Sequence, residues 1–214
     1  MKKYVACAVV FLALVALETF SCPVWAARTD LSIEVNKEKR EVIVPAEVNG
    51  KYFDVPTRHG VSYVGGSNGE KSILRALSDE KKFHEALVEI GAVPGNNVKM
   101  DDMKAGPDSG VSVEGSKLDV FVTWEGSKGE IPFDDLIKAS EERPSDYRFA
   151  GNLEVAKTAN AGCILCLDSC AAGITSNASY PTGTTQHNLV EFVGDKDVLP
   201  PDGTRVFVIF RLAQ

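Results

Sequence analysis

Three cysteines crowd one short stretch of this 214-residue chain, Gly162–Gly173, which reads Gly-Cys-Ile-Leu-Cys-Leu-Asp-Ser-Cys-Ala-Ala-Gly. Cys163, Cys166 and Cys170 stand at C-x2-C-x3-C spacing. Thiolates are soft ligands, and three at such spacing can supply three of the four donors of zinc or of an iron–sulfur cluster. The bacterial ferredoxin run is C-x2-C-x2-C-x3-C followed by proline, and one cysteine and the proline are missing here. A fourth donor must come from Asp168, from His187 in the polar segment 182–188, from another chain or from solvent. Leu167 stands where a c-type haem motif requires histidine, which excludes that attachment.

Two other readings of the same residues stay open at this level. In an oxidising compartment Cys163 and Cys166 can close a small disulfide loop, leaving Cys170 as a free exchange thiol. Alternatively the three positions, at i, i+3 and i+7, share one face of a helix. With Ile164, Leu165, Leu167, Ala171 and Ala172 they then form a buried segment in which free cysteine acts as a small hydrophobe. Other chemistry is not indicated. The chain has no G-x-S-x-G elbow, no H-E-x-x-H, no P-loop and no G-x-G-x-x-G, so the sequence points away from an enzyme. Asp101, Asp102 and Asp108 do not have the spacing of an EF-hand loop.

The compartment follows from the N-terminus. Lys2 and Lys3 precede an unbroken apolar run of 13 residues, Val5–Leu17, which Glu18 ends. That run suits a secretory signal and is too short to span a bilayer. Val24-Trp25-Ala26 offers a small residue before a cut, so residues 1–26 read as a signal peptide and 27–214 as one exported domain, periplasmic or extracellular. Cleavage there removes Cys7 and Cys22. A minor alternative is lipid attachment at Cys22, but Thr19 occupies the position where a lipobox wants an aliphatic residue. The formal charge of −7 argues against nucleic acid, whose binders carry a basic face, and no second apolar run is long enough to cross a membrane.

The elements that must position the cysteines are legible in part. Leu31, Ile33 and Val35, then Val42 and Val44, alternate with polar residues as in a hairpin. His59–Val64 reads as a strand closed by the loop Gly65–Gly69. After Ser78, a capping residue, Phe83, Ala86, Leu87 and Ile90 make one apolar helical stripe over Asp79–Ile90, with His84 at its margin. Residues 96–115 are polar and rich in Gly, Asp and Lys, an unusually long loop of the kind that is often functional. Leu118–Trp124 is a strand with Phe121 on its second face. Phe133–Ile137 suits a short helix, Tyr147–Phe149 and Leu189–Val193 read as strands, and Arg205–Leu212 is apolar on both faces, as a central strand must be.

The order of these features resembles the YdjY-like family of exported bacterial domains. The likeness is carried by Phe83–Gly95, a helix running into Gly-Ala-x-Pro-Gly, then by Trp124, Ile131–Ile137, Tyr147–Gly151, Gly173–Thr175 and Pro200–Val208. It covers roughly Leu31 to Leu212. The chain departs from the family pattern at Lys71–Leu74, which lacks a His-Glu pair common before the helix. The resemblance implies an exported domain, and some members bear a ferredoxin-like or iron–sulfur label; no defined activity comes with it.

The sequence therefore predicts a single exported α+β domain, mainly antiparallel sheet with two or three packed helices. Its expected function is non-catalytic. It would bind a metal, with zinc or an iron–sulfur cluster as cofactor, through Cys163, Cys166, Cys170 and His187, for electron transfer or metal handling. The alternative is an interaction or assembly domain with a protein partner in the cell envelope, its cysteines structural as a Cys163–Cys166 disulfide or as buried thiols.

Overall fold

The computed structural model describes residues 31–214; residues 1–26, read from the sequence as a signal peptide, and with them Cys7 and Cys22, lie outside the described residues. Among the described residues the chain forms, in order, β1 (Glu34–Asn36), β2 (Glu41–Val48), β3 (His59–Tyr63), β4 (Ser72–Ala76), α1 (Glu80–Glu89) and α2 (Met100–Ala105). There follow β5 (Leu118–Trp124), β6 (Ile131–Pro132), β7 (Ile137–Ala139), β8 (Tyr147–Phe149), α3 (Leu153–Ala159), β9 (Cys163–Cys166), β10 (Thr175–Asn177), β11 (Phe192–Gly194) and β12 (Arg205–Leu212). Ten strands make one sheet in the order β6-β5-β12-β2-β4-β3-β9-β10-β8, with β1 added against β2; β11 and β7 form a separate pair.

This is the expected α+β class with three helices, but the sheet is mixed. Most neighbours are antiparallel, whereas β3–β4 and β9–β10 run parallel. The second parallel pair matters for the site. Parallel neighbours cannot be joined by a hairpin, so residues 167–174 must return alongside β9 before β10 begins. That return carries Asp168 and Cys170 back beside the cysteines of the strand.

β12 lies between β5 and β2, as its two apolar faces require. Val206, Val208 and Phe210 enter the main core, and Phe207 and Ile209 join Ile43 and Phe121 on the opposite face. The stripe of α1 seals the first face, with the Phe83 ring 4.6 Å from that of Phe210. The helix starts one residue later than the capping reading placed it. Asp79, rather than Ser78, is the N-cap, its Oδ1 accepting from Lys82 N at 2.9 Å, while Ser78 Oγ donates to the Leu31 carbonyl. Asp79→Ala will cost about 1 kcal/mol of stability, read from the shift in a urea midpoint.

His84 sits half-buried at the margin of α1 with its ring edge-on to Phe149, the centroids 5.0 Å apart. Burial lowers its pKa; Glu85 opposes this and Lys157 adds to it. A histidine depressed in the fold contributes stability above its ordinary value of about 6.5 and loses it as pH falls through the folded pKa. Acidification from about pH 7 to about pH 5 will therefore destabilise the wild type more than His84→Gln, as compared by urea midpoints at both pH values.

Three further elements differ from the sequence reading. Phe133–Leu136 is a 3-10 turn that leads into β7, and the strand expected over Leu189–Val193 narrows to Phe192–Gly194, paired with β7. Residues 96–115 are not a bare loop. They form an arm that holds α2 and a second 3-10 turn, and they share a small apolar cluster in which Val98, Val113, Ala150 and Ala171 are buried together.

Candidate metal centre

The cysteine stretch is a strand and a return loop, where a helical face was the expectation if the cysteines were mere packing. In a regular strand Cys163 and Cys166, three apart, would point to opposite faces. They share a face because the pairing with β3 is irregular. His59 pairs with Cys166, Val61 with Leu165 and Ser62 with Cys163, so an extra residue intrudes first at Gly60 and then at Ile164. A bulge shifts the alternation by one. Ile164 and Leu165 consequently both enter the main core, and Cys163 and Cys166 both turn to a second cluster with Ala161 and Cys170. Gly60 packs closely at the other bulge: a Cβ there would lie 3.0 Å from the Phe133 ring and 3.3 Å from the Leu165 carbonyl, so its neighbours would have to give by a few tenths of an ångström.

The same register brings in His59. One of its ring nitrogens and the sulfurs of Cys163 and Cys166 all lie within 4.8 Å of one another, and all three residues are buried. His59 Nδ1 stands 3.7 Å from Cys163 Sγ. Ligands about 2.0–2.3 Å from a tetrahedral ion are themselves about 3.5–3.8 Å apart, so this edge already has the length one ion would set.

Cys163 also receives a hydrogen bond from Asn68 Nδ2 at 3.5 Å. Asn68 is delivered by the glycine-rich loop after β3, whose backbone crosses the start of β9. Ser67 N donates to the Asn160 carbonyl at 2.8 Å, and a Cβ on Gly66 would lie 2.6 Å from Gly162 Cα. The Cys166 thiol hydrogen-bonds to Cys163, and with help from His59 and Asn68 it holds Cys163 well below the usual thiol range, against the opposing effect of burial. Cys166 is pushed well above that range by the same bond, by a second one with Cys170 and by burial.

Cys170 is buried in the same cluster, held through its carbonyl by Asn152 Nδ2 at 3.2 Å, and adjoins Cys166. All three thiols are free. Asp168 is buried at the cavity wall with its Oδ2 accepting from Thr185 N and Oγ1, at 2.9 and 2.8 Å. Burial raises its pKa, and the Thr185 bonds and the charges of Arg58 and His59 partly offset this. His187 is not brought to the thiols. It is exposed and lies over Gly106 at the end of α2, where an added Cβ would meet its Nε2 at 2.9 Å. His59 takes the place in the cluster that the sequence reading gave to His187. The cue for it was weak: a histidine opening a strand, more than a hundred residues from Cys163, with no spacing to tie the two.

The cavity against these groups has a volume of about 180 Å³ and is also lined by Met100 and Met103 from α2. Met103 is packed on the cysteine cluster, and its Sδ accepts from Ala171 N at 3.3 Å. The arm is fastened beside the return loop by Val113 N donating to the buried Ser169 Oγ at 3.1 Å and by Thr182 N donating to the Val111 carbonyl at 2.8 Å.

Comparison with known proteins agrees with the resemblance. A family model described as "YdjY domain" matches residues 33–211. The chain is 39% identical over 183 residues to "Uncharacterized protein YdjY" of Escherichia coli (strain K12), an alignment covering 85% of this chain and 79% of the relative. No solved structure matches the chain.

Proposed function

The chain belongs to the YdjY domain family, and from that premise and the thiol–imidazole geometry we propose an exported, non-catalytic metal-handling protein. It holds one metal ion between His59, Cys163 and Cys166, with Cys170 beside Cys166 as fourth donor. The observation that carries this reading is the mutual approach of the three ligand atoms to within 4.8 Å, in a buried site. A single ion suits it better than an iron–sulfur cluster, which spreads four protein ligands over two or more irons, whereas three donors converge here on one point. Two thiolates and an imidazole make a soft to borderline donor set, suited to zinc or copper(I) and unsuited to magnesium or calcium. Export rests on the leader pattern of residues 1–26.

Anaerobic, reduced protein titrated with zinc or copper(I) will bind one equivalent, measured by elemental analysis and native mass. A chain that retains no stoichiometric ion sinks the proposal. Intact mass with and without alkylation reports the competing state: a Cys163–Cys166 disulfide in protein taken from cells without reductant favours structural cysteines. Sequencing the N-terminus of the secreted chain tests the cut before Ala27.

A further inference from the structure

The sequence holds three methionines, and the two among the described residues, Met100 and Met103, line the one cavity that also meets Cys163, Cys166 and Cys170. They stand at i and i+3 on α2, neighbouring positions on a helix surface. Met103 is partly buried against the thiols, and Met100 is 45% exposed. The inner wall therefore offers thiols and His59, and the outer wall offers thioethers, with the second of these open to solvent.

Thioether sulfur is a soft, uncharged donor. It contributes little to zinc, whose protein ligands are thiolate, imidazole and carboxylate, and it favours copper(I). Met103 Sδ also accepts from Ala171 N, but the half-exposed Met100 at the mouth of a thiol-lined cavity has no purpose for zinc that leucine would not serve. We propose that the ion bound here is copper(I), and that Met100 and Met103 are its outer ligands, receiving it at the surface and passing it to Cys163 and Cys166. This rests on the single-ion reading above. The transfer is ligand exchange. Copper–thioether contacts are replaced by copper–thiolate bonds, a thiol that binds gives its proton to water, and no electron moves.

The test uses the reduced full chain under argon, with copper(I) partitioned against bicinchoninate and zinc(II) against a chromogenic chelator. The methionine methyl carbons are followed by 13C NMR. The methyl signals of Met100 and Met103 are expected to shift with one equivalent of copper(I) and to stay in place with zinc(II). Met103→Leu, close in volume, gives up the Ala171 N bond and with it any metal contact; it is expected to weaken copper(I) binding about tenfold or more, and zinc binding by the same chain reports how much of that loss comes from the lost bond alone. Met100→Leu lies at the surface and cannot disturb the core, so its slower copper(I) loading, by stopped flow, is a readout independent of folding. If both variants keep wild-type copper(I) affinity and loading while zinc still binds, the methionine inference falls and the single-ion reading stands. If neither ion binds the wild type, both fall.

Discussion

Cys163→Ser is expected to abolish stoichiometric metal binding while leaving the fold intact. The loss should exceed the 10–100-fold typical of outer-shell changes, because the substitution removes a ligand rather than its support. Cys163 is the preferred position for reasons visible around its sulfur. A serine oxygen sits on a shorter bond than the sulfur, so the Ala161 carbonyl, 3.9 Å from the present sulfur, and Asn68 Nδ2, 3.5 Å from it, come within its reach only after a small local shift. The cost of the substitution to the fold is therefore bounded by the roughly 1–3 kcal/mol charged to an unsatisfied buried polar group. Without metal the variant should unfold cooperatively with at most that loss, and it should lack the stabilisation that an added ion gives the wild type. Cys170→Ser should weaken binding less, since Cys170 lies next to Cys166 and outside the compact group formed by His59, Cys163 and Cys166. An unaltered affinity in Cys163→Ser would remove that group from consideration.

The ranking of these variants could not have been written from the sequence, and the reason lies in particular residues. Strands and helices with strong alternation or a clear stripe were legible. Phe83, Ala86, Leu87 and Ile90 all reach the core, and β12 is central because both its faces are apolar. Such patterns record burial, which is a local property of each residue type and position. The site depends instead on register. Cys163 and Cys166 converge through a pair of bulges, a feature of two strands together that neither strand's sequence announces. The same irregular pairing brings in His59, which the sequence offers only as the start of a strand, in the place expected for His187. Cys170 returns because β10 is parallel to β9, and the expectation of a mainly antiparallel sheet gave no reason to look for that return. Met100 and Met103 were hidden for a different reason. They lie in a stretch whose composition reads as loop; Met, Lys and Ala favour a helix and Asp101 and Asp102 suit its first turn, but six residues are too few to hold one without the tie to the return loop.

That tie can be cut at a distance from the metal ligands. Gly115 closes the base of the arm. It bridges Pro94, and Gly95 N donates to the Phe149 carbonyl at 3.0 Å directly beside it. A Cβ on Gly115 would fall 2.1 Å from that carbonyl oxygen and 2.7 Å from Gly95 N, in the path of the hydrogen bond, and its φ of +111° is one that other residues rarely adopt. The neighbouring clamps cannot yield freely. Asn97 bridges the Ser112 carbonyl and Glu114 N at 2.9 Å each, and Arg148 Nη1 donates to the Gly115 carbonyl at 3.2 Å. Gly115→Ala should therefore cost about 3 kcal/mol from backbone strain and overpacking together, a fall in Tm of roughly 6–12 °C for a domain of this size. Gly110→Ala on the same arm is the control. It also has positive φ, at +68°, but nothing lies within 4 Å of its added Cβ, so only the conformational cost of about 1 kcal/mol remains. The two variants differ in a second way that bears on the site. Loosening the base frees α2 from the cysteine cluster, so Gly115→Ala should expose the thiols and raise their alkylation rate, while Gly110→Ala should leave it at the wild-type value. Equal alkylation in both would mean that the arm does not cover the cysteines.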